Sequence, residues 1–402
     1  MKSLKIFSLR PNKITITELF PLIFFLGRIL FYFALMPFDL HGMGDFPNYF
    51  YVVSLPGFPY FDYWTEYPPV FAFTLELLNF ISHNNQFLFD FLLYFIISVS
   101  GSLCIWLFSK IAIILKKDNN EVLLLTAIYF SFLAFVSYSW WYFDLVVVSF
   151  SLFSIYYLLK MKDPQAGIFL SLGVLSKWFP LILLPTIYKY KGWKSFVKIL
   201  LITVILTLII WATLLLISPD MTIASLVSQP SRSSWQTIWA LIDGNLNTGA
   251  FVPTENRLDP TNSTLVFGNP AKIPAWMTLI FFGGLGLIIM HKIRNYSHES
   301  MLAFIGITWI LFLLWSPGWS PQWILYLFPL ILLTLPHNTG LLITFLLSFI
   351  SLLEWPVLLG RQLFLTLWLI VPIRILIFLV LLFLWYGIIT KKNDTHQPIT
   401  SN

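Results

Sequence analysis

Charged residues are scarce in this chain of 402 residues. Only 10% of the residues are Asp, Glu, Lys or Arg, whereas 58% are apolar. An ordinary soluble domain carries about 25% charged residues, and the mean hydropathy here is +0.81. A soluble core cannot bury that much apolar surface. The composition therefore excludes a soluble globular enzyme and predicts an all-α protein that crosses the membrane repeatedly.

Cysteine is almost absent as well. The single cysteine, Cys104, lies inside an apolar run, which excludes a disulfide framework and a thiolate metal site. The first apolar run has no small-residue cleavage site after it, so we expect it to stay as a signal-anchor helix. The net charge of +6 comes from basic residues scattered over several loops. This scatter indicates membrane topology and not nucleic-acid binding.

Apolar runs long enough, or nearly so, to span a hydrocarbon core about 30 Å thick recur along the chain, since a span takes about 20 helical residues. They are residues 20–37, 87–115, 122–139, 145–159, 196–217, 273–290, 301–315, 323–335, 341–353 and 363–389. Together with the interrupted segments, they predict a transmembrane helical bundle of about 10–12 spans.

Two segments depart from this pattern. Lys177 and Pro180 interrupt the apolar segment 166–185, which predicts a broken or re-entrant helix pair. The stretch 70–81 is amphipathic, short and close to Glu66 and Glu76, which fits an interfacial helix. It would belong to a first external loop, 39–82, and a second external loop is predicted at 219–274.

The basic residues predict the orientation, because short cytoplasmic loops carry an excess of Lys and Arg. Segment 39–69 contains acidic residues and no basic one, which places it outside. Both termini are then expected in the cytoplasm, and the compact loops favour a prokaryotic plasma membrane over the ER membrane. The residues that mark the inside are Lys2, Lys5, Arg10, Lys13, Lys116, Lys117, Lys160, Lys162, Lys189, Lys191, Lys194, Lys292, Arg294, Lys391 and Lys392.

The first external loop is rich in aromatic and acidic residues. Its aromatic side chains could form an interfacial belt or wall a sugar site, and both can hold at once. Its carboxylates, Asp45, Asp62 and Glu66, have no basic neighbour in the sequence. Each could bind a metal, deprotonate an acceptor hydroxyl or simply be solvated.

The order of residues in this loop resembles that of the GT-C glycosyltransferases, and within them glycosyltransferase family 87 and the first mannosyltransferase of glycosylphosphatidylinositol assembly. Three later segments are similar to that family too, so the resemblance spans about residues 28–329. The loop residues are Gly44-Asp45, Tyr49, Gly57-Phe58-Pro59-Tyr60 and Glu66-Tyr67-Pro68-Pro69. The later segments are 173–185 with Gly173, Lys177, Pro180 and Pro185, Ser320-Pro321-Gln322-Trp323 with Pro329, and Gln229-Pro230-Ser231-Arg232.

The resemblance implies an inverting transferase that passes a hexose, mannose by resemblance, from a polyprenyl-phosphate carrier to a lipid-linked or glycan acceptor outside the cell. In the family an Asp of the first external loop is the general base, and Asp45 matches it. Asp62 and Glu66 are candidates for binding the acceptor, and Tyr49, Tyr60 and Tyr67 are candidates for the sugar. The loop lacks the adjacent pair of acids seen in metal-dependent members, so we expect no metal cofactor.

A lipid phosphate as leaving group calls for cations near the membrane surface. Lys177 and Arg232 are candidates, although Lys177 could also be a plain snorkelling lysine. Arg28 lies inside the first span, where a charge marks either a functional site or a structural ion pair, here with Asp90 or Asp144. Gln322 is a further substrate-binding candidate. His337 is expected on the cytoplasmic side as a solvated residue.

The alternative function is a secondary transporter or a flippase for lipid-linked sugars. Such proteins often contain two matching broken helices related by an internal repeat. Only one broken segment, 166–185, is evident in this sequence. The aromatic and acidic residues concentrate in the external loops, which favours an enzyme at the membrane surface.

Overall fold

The computed structural model describes residues 16–35, 44–249 and 253–392. The basic segment 2–13 and residues 39–43 of the first external loop lie outside the described residues. The predictions made for those two segments therefore stay predictions.

The described residues form an all-helical structure. They contain no β-strand, only isolated bridges that pair Pro59 with Tyr63 and Trp235 with Gly318. The all-α prediction is confirmed. The helices are α1 (Ile16–Leu35), α2 (Phe46–Val53), α3 (Pro69–Ser82), α4 (Gln86–Ile114), α5 (Asn119–Phe135), α6 (Tyr138–Trp141), α7 (Asp144–Leu159), α8 (Asp163–Val174), α9 (Leu184–Ile217), α10 (Pro219–Ser228), α11 (Ile238–Asp243), α12 (Ala275–His291), α13 (His298–Trp315), α14 (Ile324–Thr334), α15 (His337–Leu352) and α16 (Leu367–Thr390).

Six helical segments within the described ranges are long and apolar enough to cross a membrane. The protein is therefore a multi-pass membrane protein. The total of about 10–12 spans, the orientation and the interfacial position of α3 stay predictions. The six segments are Thr17–Ala34, Gln86–Ile114, Phe179–Ile217, His298–Trp315, His337–Arg361 and Phe364–Thr390, and shorter apolar helices cover Pro69–Ser82, Asn119–Phe135, Asp144–Leu159, Ala275–His291 and Pro321–Thr334.

Side-chain caps fix the start of several helices. The side chain of Asn85 accepts a hydrogen bond from the Leu88 amide at 2.9 Å at the start of α4. Asp118 caps α5 in the same way, through the Glu121 amide at 2.9 Å. Each cap satisfies a backbone N–H that has no partner within its helix.

The chain reverses between α8 and α9. Helix α8 rises about 18 Å over its 12 residues and ends at Val174, and a 3-10 turn at Phe179–Leu183 leads into α9. Lys177 lies in this reversal. Within α9 the φ angle of Gly192 is 77°, which breaks the helix at the basic segment 189–194.

Two loop segments far apart in the sequence lie against each other. The backbone amide of Trp64 donates to the Arg257 carbonyl at 3.0 Å, and its indole N–H donates to the Asp259 carbonyl at 3.0 Å. The amide of Thr65 donates to the Ser225 hydroxyl at 3.0 Å. Segment 44–68 of the first loop and segment 253–264 of the second therefore form one surface.

Candidate active site

Asp45 stands at the start of α2, next to α6. A Cβ atom on Gly44 would lie 2.4 Å from Cβ of Trp141, and the φ angle of Gly44 is +63°, so only glycine fits there. This close approach lets the Asp45 amide donate to the Trp141 carbonyl at 3.2 Å. The Tyr49 hydroxyl, one helical turn along α2, donates to Oδ2 of Asp45 at 3.3 Å. Asp45 is half-buried.

A second carboxylate, that of Asp144, acts electrostatically on Asp45. Asp144 is the first residue of α7 and is buried. Its Oδ1 accepts hydrogen bonds from the Lys177 ammonium at 2.7 Å and from the Tyr326 hydroxyl at 3.0 Å. These contacts join the start of α7 to the α8–α9 reversal and to α14.

The Lys177 ammonium is held on two sides. Besides its ion pair with Asp144, Nζ lies 4.7 Å from the ring centroid of Phe179 and 5.7 Å from that of Trp323. Both distances fall within the range of cation–π attraction. The Lys177 side chain is 28% exposed, whereas the Asp144 side chain is 4% exposed. A cation is therefore presented at an accessible edge of a buried carboxylate.

The pKa of Asp45 reflects these neighbours. Burial raises the pKa of its carboxyl group to about 6, and the negative charge of Asp144 adds to the increase. The Lys177 ammonium and the Tyr49 hydrogen bond act in the opposite direction, while Glu66 raises the pKa slightly further. A carboxylate with a pKa near 6 is a stronger proton acceptor than an ordinary aspartate and is still ionised at neutral pH.

Glu66 is engaged by an arginine from the second loop. Both terminal nitrogens of Arg257 donate to the Glu66 carboxylate, Nη2 to Oε1 at 3.1 Å and Nη1 to Oε2. The ring of Trp64 covers the guanidinium at 4.9 Å. Burial by itself would raise the pKa of Glu66, but the Arg257 charge and hydrogen bonds lower it. The structure thus places Glu66 in an ion pair between the two loops.

Arg232 is a second arginine whose charge acts on Glu66. Its Nη2 donates to the Gly249 carbonyl at 3.1 Å, and its guanidinium lies 4.5 Å from the ring centroid of Trp235. Burial lowers the pKa of Arg232, while the charges of Glu66 and Asp45 act to raise it. The structure therefore brings Arg232 within electrostatic reach of Asp45, together with Lys177.

Of the three tyrosines that the sequence proposed for the sugar, two lie beside Asp45. The rings of Tyr49 and Tyr67 meet edge to face, with centroids 5.6 Å apart. Tyr60 is fully buried elsewhere, edge to face with Trp211 at 5.6 Å, and its hydroxyl donates to the Tyr67 carbonyl. Tyr60 therefore supports the backbone at Tyr67 and has no exposed face for a sugar.

Asp62 is exposed and caps its own turn, because its Oδ2 accepts from the Phe58 amide at 2.8 Å. Gln322 is buried in the 3-10 turn Pro321–Trp323, directly before Trp323. His337 begins α15, and its Nε2 lies 3.6 Å from Oε1 of Glu121.

Arg28 pairs with neither Asp90 nor Asp144, so the ion-pair alternative is wrong. Its guanidinium donates to the hydroxyls of Ser98 at 3.2 Å and Ser139 at 3.0 Å. It is also enclosed by aromatic rings, with the Trp140 centroid at 4.5 Å. Serines and aromatic faces therefore contact this guanidinium in place of a carboxylate. Arg28 is 3% exposed, and its Nη2 has no hydrogen-bond partner among the described residues.

Several important groups were not assigned a role from the sequence. Asp144 entered only as a possible partner of Arg28, and Arg257 and the buried ion pair between Glu354 and Arg374 did not enter at all. An intramembrane charge is itself a signal for Asp144, Glu354 and Arg374. Nothing in the sequence pairs Arg257 with Glu66, 191 positions away.

A small apolar cavity shares one residue with the partners of Asp144. Tyr326, whose hydroxyl binds Asp144, is also part of the cavity wall. The cavity continues between α7, the Phe179–Leu183 turn, α13 and α14. Its other lining residues include Val148, Leu152, Ile155, Leu183, Trp309 and Leu330.

The described ranges hold no group of three or more His, Cys, Asp and Glu side chains placed to bind a metal ion. The polar site consists instead of carboxylates, cations and tyrosine hydroxyls. Such a set can accept a proton at one carboxylate and bind an anion at its cations.

Comparisons with known proteins find solved structures with a similar arrangement of helices. Among them is the apo oligosaccharyltransferase of Archaeoglobus fulgidus, with a TM-score of 0.45 and 13% sequence identity. The similarity covers 96% of this chain and 57% of that one, so this chain spans little more than half of its length. No protein-family model matches the sequence, and no curated protein sequence matches it.

Proposed function

We propose that this protein is a membrane glycosyltransferase of the GT-C type that moves a hexose, mannose by the sequence resemblance, from a polyprenyl-phosphate carrier to a lipid-linked or glycan acceptor on the extracytoplasmic side. The observation that carries the proposal is the pairing of a proton acceptor, Asp45, with a partly exposed cation, Lys177, in one electrostatic site. The proposal also places the protein in a prokaryotic plasma membrane with both termini cytoplasmic.

Asp45 is the general base in this proposal. The acceptor hydroxyl gives its proton to the Asp45 carboxylate while its oxygen forms a bond to C1 of the sugar. The bond from C1 to the phosphate oxygen breaks, and polyprenyl phosphate leaves with the bonding electron pair. Attack opposite to the leaving group inverts the configuration at C1. A placed base contributes on the order of 10²–10⁴-fold to such a step.

The cations stabilise the leaving group. Negative charge grows on the phosphate as the bond from C1 breaks, and a preplaced ammonium or guanidinium favours that charge. Lys177 is partly exposed at the edge of Asp144, and Arg232 acts on Asp45 from the second loop. These cations would bind a phosphate without a metal ion, so we propose that no metal cofactor is needed.

A polyprenyl carrier would bind through its phosphate at these cations, with its isoprenoid chain in lipid or against the apolar helices. Burial of such a chain would favour binding by about 0.8 kcal/mol for each CH₂ group. Tyr67, half-buried beside Asp45, is the tyrosine that we propose for contact with the sugar. Tyr49 is only 3% exposed and holds the Asp45 carboxylate through its hydroxyl.

The test is sugar transfer by the purified protein in liposomes. Labelled polyprenyl-phosphate-mannose and a membrane lipid extract are supplied to wild type, Asp45→Asn and Asp220→Asn. Asp220→Asn is the matched control, because Asp220 is exposed at the start of α10 and has no proposed role in the site. We expect transfer by wild type and by Asp220→Asn, loss in Asp45→Asn, and no effect of EDTA.

Each other outcome has a definite meaning. Equal transfer by wild type and Asp45→Asn would remove Asp45 as the base. Loss of activity in EDTA that returns with a divalent ion would overturn the metal-independent mechanism. No transfer with mannose, glucose or galactose donors, together with movement of the donor between leaflets, would replace the transferase by a flippase.

A further inference from the structure

Asp144 has no role in the reaction described so far. It is a buried acid at the start of an apolar helix, a position where an ionised group is unfavourable unless its partners compensate. Its partners come from two other parts of the chain, Lys177 in the α8–α9 reversal and Tyr326 in α14. Helix α2 brings Asp45 within electrostatic reach of Asp144. Three elements, the α8–α9 reversal, α14 and α2, therefore meet near this carboxylate of α7.

The ion pair is asymmetric in a way that suits a binding site. The Asp144 side chain is 4% exposed, and the Lys177 side chain is 28% exposed. The carboxylate is thus fixed inside the protein, while the ammonium keeps an open side. The pair of Glu66 and Arg257 differs, because it buries both partners, at 3% and 4% exposure.

The rings of Phe179 and Trp323 restrict where the ammonium can lie. They stand 4.7 and 5.7 Å from Nζ. A lysine side chain has four rotatable bonds and is otherwise poorly ordered at a surface. Asp144 and these rings together hold a flexible cation at one point.

We propose that Asp144 is a positioning residue of the transfer reaction, which holds the Lys177 ammonium beside Asp45 so that it meets the phosphate of the donor. This inference rests on the proposed function for its catalytic part. Its binding part, a phosphate site at Lys177, stands on the geometry of the ion pair.

The same arrangement gives Asp144 a measurable effect on Asp45. The Asp144 charge raises the pKa of Asp45, and the Lys177 charge lowers it. In Asp144→Asn the negative charge is gone and Lys177 is no longer neutralised, so both changes lower the pKa of Asp45. The titratable and charged groups that act on Asp45 from the surrounding elements are Tyr49, Glu66, Tyr67, Tyr142, Asp144, Lys177 and Arg232.

The first experiment compares the transfer kinetics of wild type, Asp144→Asn and Asp220→Asn. Asp220 is exposed at the start of α10, so its variant is the matched control. We expect kcat of Asp144→Asn to fall on the order of 10²-fold, because a displaced catalytic group has an effect of that size. We expect its KM for the donor to stay equal or decrease, since Lys177 no longer has a competing anion. The acid limb of its pH profile should move to lower pH.

A purely structural role of Asp144 predicts different kinetics. If Asp144 only stabilises the fold, kcat and KM should worsen together and the acid limb should stay in place. Asp144→Asn keeps the size of the side chain and an acceptor for Tyr326, and a thermal melt checks that it folds. Should it unfold, Tyr326→Phe and Lys177→Met replace it, and equal pH profiles in wild type and Lys177→Met would overturn the inference.

The second experiment measures binding alone, so that it does not depend on transfer. Polyprenyl phosphate without sugar is titrated into protein in phosphatidylcholine nanodiscs, with and without excess phosphatidylglycerol. We expect Lys177→Met to bind about tenfold more weakly or worse, as for loss of a charge-assisted hydrogen bond, and Asp144→Asn to bind at least as tightly as wild type.

The two experiments separate the two proposals. One outcome is that wild type binds polyprenyl phosphate through Lys177, as shown by loss of binding in Lys177→Met, and still transfers no sugar. That result would support the phosphate site and overturn the proposed function. Equal binding by wild type and Lys177→Met would overturn the phosphate site. Competition by phosphatidylglycerol would show that the site takes phospholipid headgroups and does not select the carrier.

Discussion

Arg257 reaches across 191 positions of sequence to donate two hydrogen bonds to the carboxylate of Glu66. Both side chains are almost fully buried, at 4% and 3% exposure. The pair fixes the second loop against the first at the point where Trp64 also contacts segment 253–264. The position of the first loop, and therefore of Asp45, depends on residues that the sequence places far away.

We expect Glu66→Gln to be strongly destabilising. Breaking a buried ion pair by removing the charge of one partner typically costs about 3–5 kcal/mol. Thermal unfolding in detergent should show a clear decrease in melting temperature. The double variant Glu66→Gln with Arg257→Met should be more stable than Glu66→Gln, because the buried guanidinium is removed together with the carboxylate. A double variant that is less stable than either single variant would contradict this account.

Asp45→Asn should remove activity without removing stability. The pKa of Asp45 is about 6 in the folded protein, above its ordinary value of 3.8. The folded state therefore disfavours the ionised form, and at neutral pH this term reduces stability. Asparagine carries no charge, so the melting temperature of Asp45→Asn at pH 7.5 should equal or exceed that of wild type. A marked decrease would mean that Asp45 serves the fold.

The pH dependence of transfer should follow the Asp45 carboxyl group. Below its pKa of about 6 the group is protonated and cannot accept a proton from the acceptor. We expect kcat/KM to decrease as pH falls through 6 and to level off above it. An acid limb near pH 4 would mean that the carboxylate that accepts the proton has an ordinary pKa, which would contradict the raised pKa of Asp45. The contribution of Asp45 to the free energy of unfolding changes with pH in the opposite direction to activity. It increases as pH falls from 6 towards 4, because the folded protein binds the proton more tightly than the unfolded chain.

The sequence predicted the helical membrane bundle because long apolar runs report burial in lipid directly. Asp45, Lys177 and Arg232 were selected through the resemblance to the glycosyltransferase family, and their roles stay predictions. The sequence did not identify the partners of these charges. Asp144 was one possible partner of Arg28, and the structure pairs it with Lys177, because pairing is decided by how helices pack and not by residue spacing.

Arg28 illustrates the same limit and gives a test. The sequence left a phosphate site and an ion pair as alternatives, and the structure encloses the guanidinium among Ser98, Ser139 and aromatic rings. Both serine hydroxyls also donate to backbone carbonyls, of Tyr94 and Leu133. In Arg28→Met they would keep those bonds.

We therefore expect Arg28→Met to leave the donor KM unchanged and the melting temperature equal or higher, since a buried charge without a carboxylate is removed. Lys110→Met removes a partly exposed lysine that pairs with the exposed Glu18. It is the control for loss of a positive charge elsewhere in the bundle. An increase of the donor KM in Arg28→Met alone would return Arg28 to the substrate site.

Variants of the ion pair between Glu354 and Arg374 can test stability and donor binding separately. Arg374 donates to the Glu354 carboxylate and to the Gln236 carbonyl, and its guanidinium lies 4.5 Å from the ring centroid of Trp319. Gln236 follows Trp235, whose ring covers Arg232. One arginine in α16 therefore holds both a buried acid and the loop that carries a proposed phosphate ligand.

Arg374→Met should lower stability by about 3–5 kcal/mol, because it leaves Glu354 buried and unpaired. It should also raise the donor KM, because the Gln236 carbonyl loses its donor and Arg232 is less well held. Adding Glu354→Gln should restore much of the melting temperature, since the unpaired charge disappears, but it cannot restore the bond to Gln236, so the raised KM should persist. Recovery of both properties together in the double variant would show that the loop does not depend on Arg374.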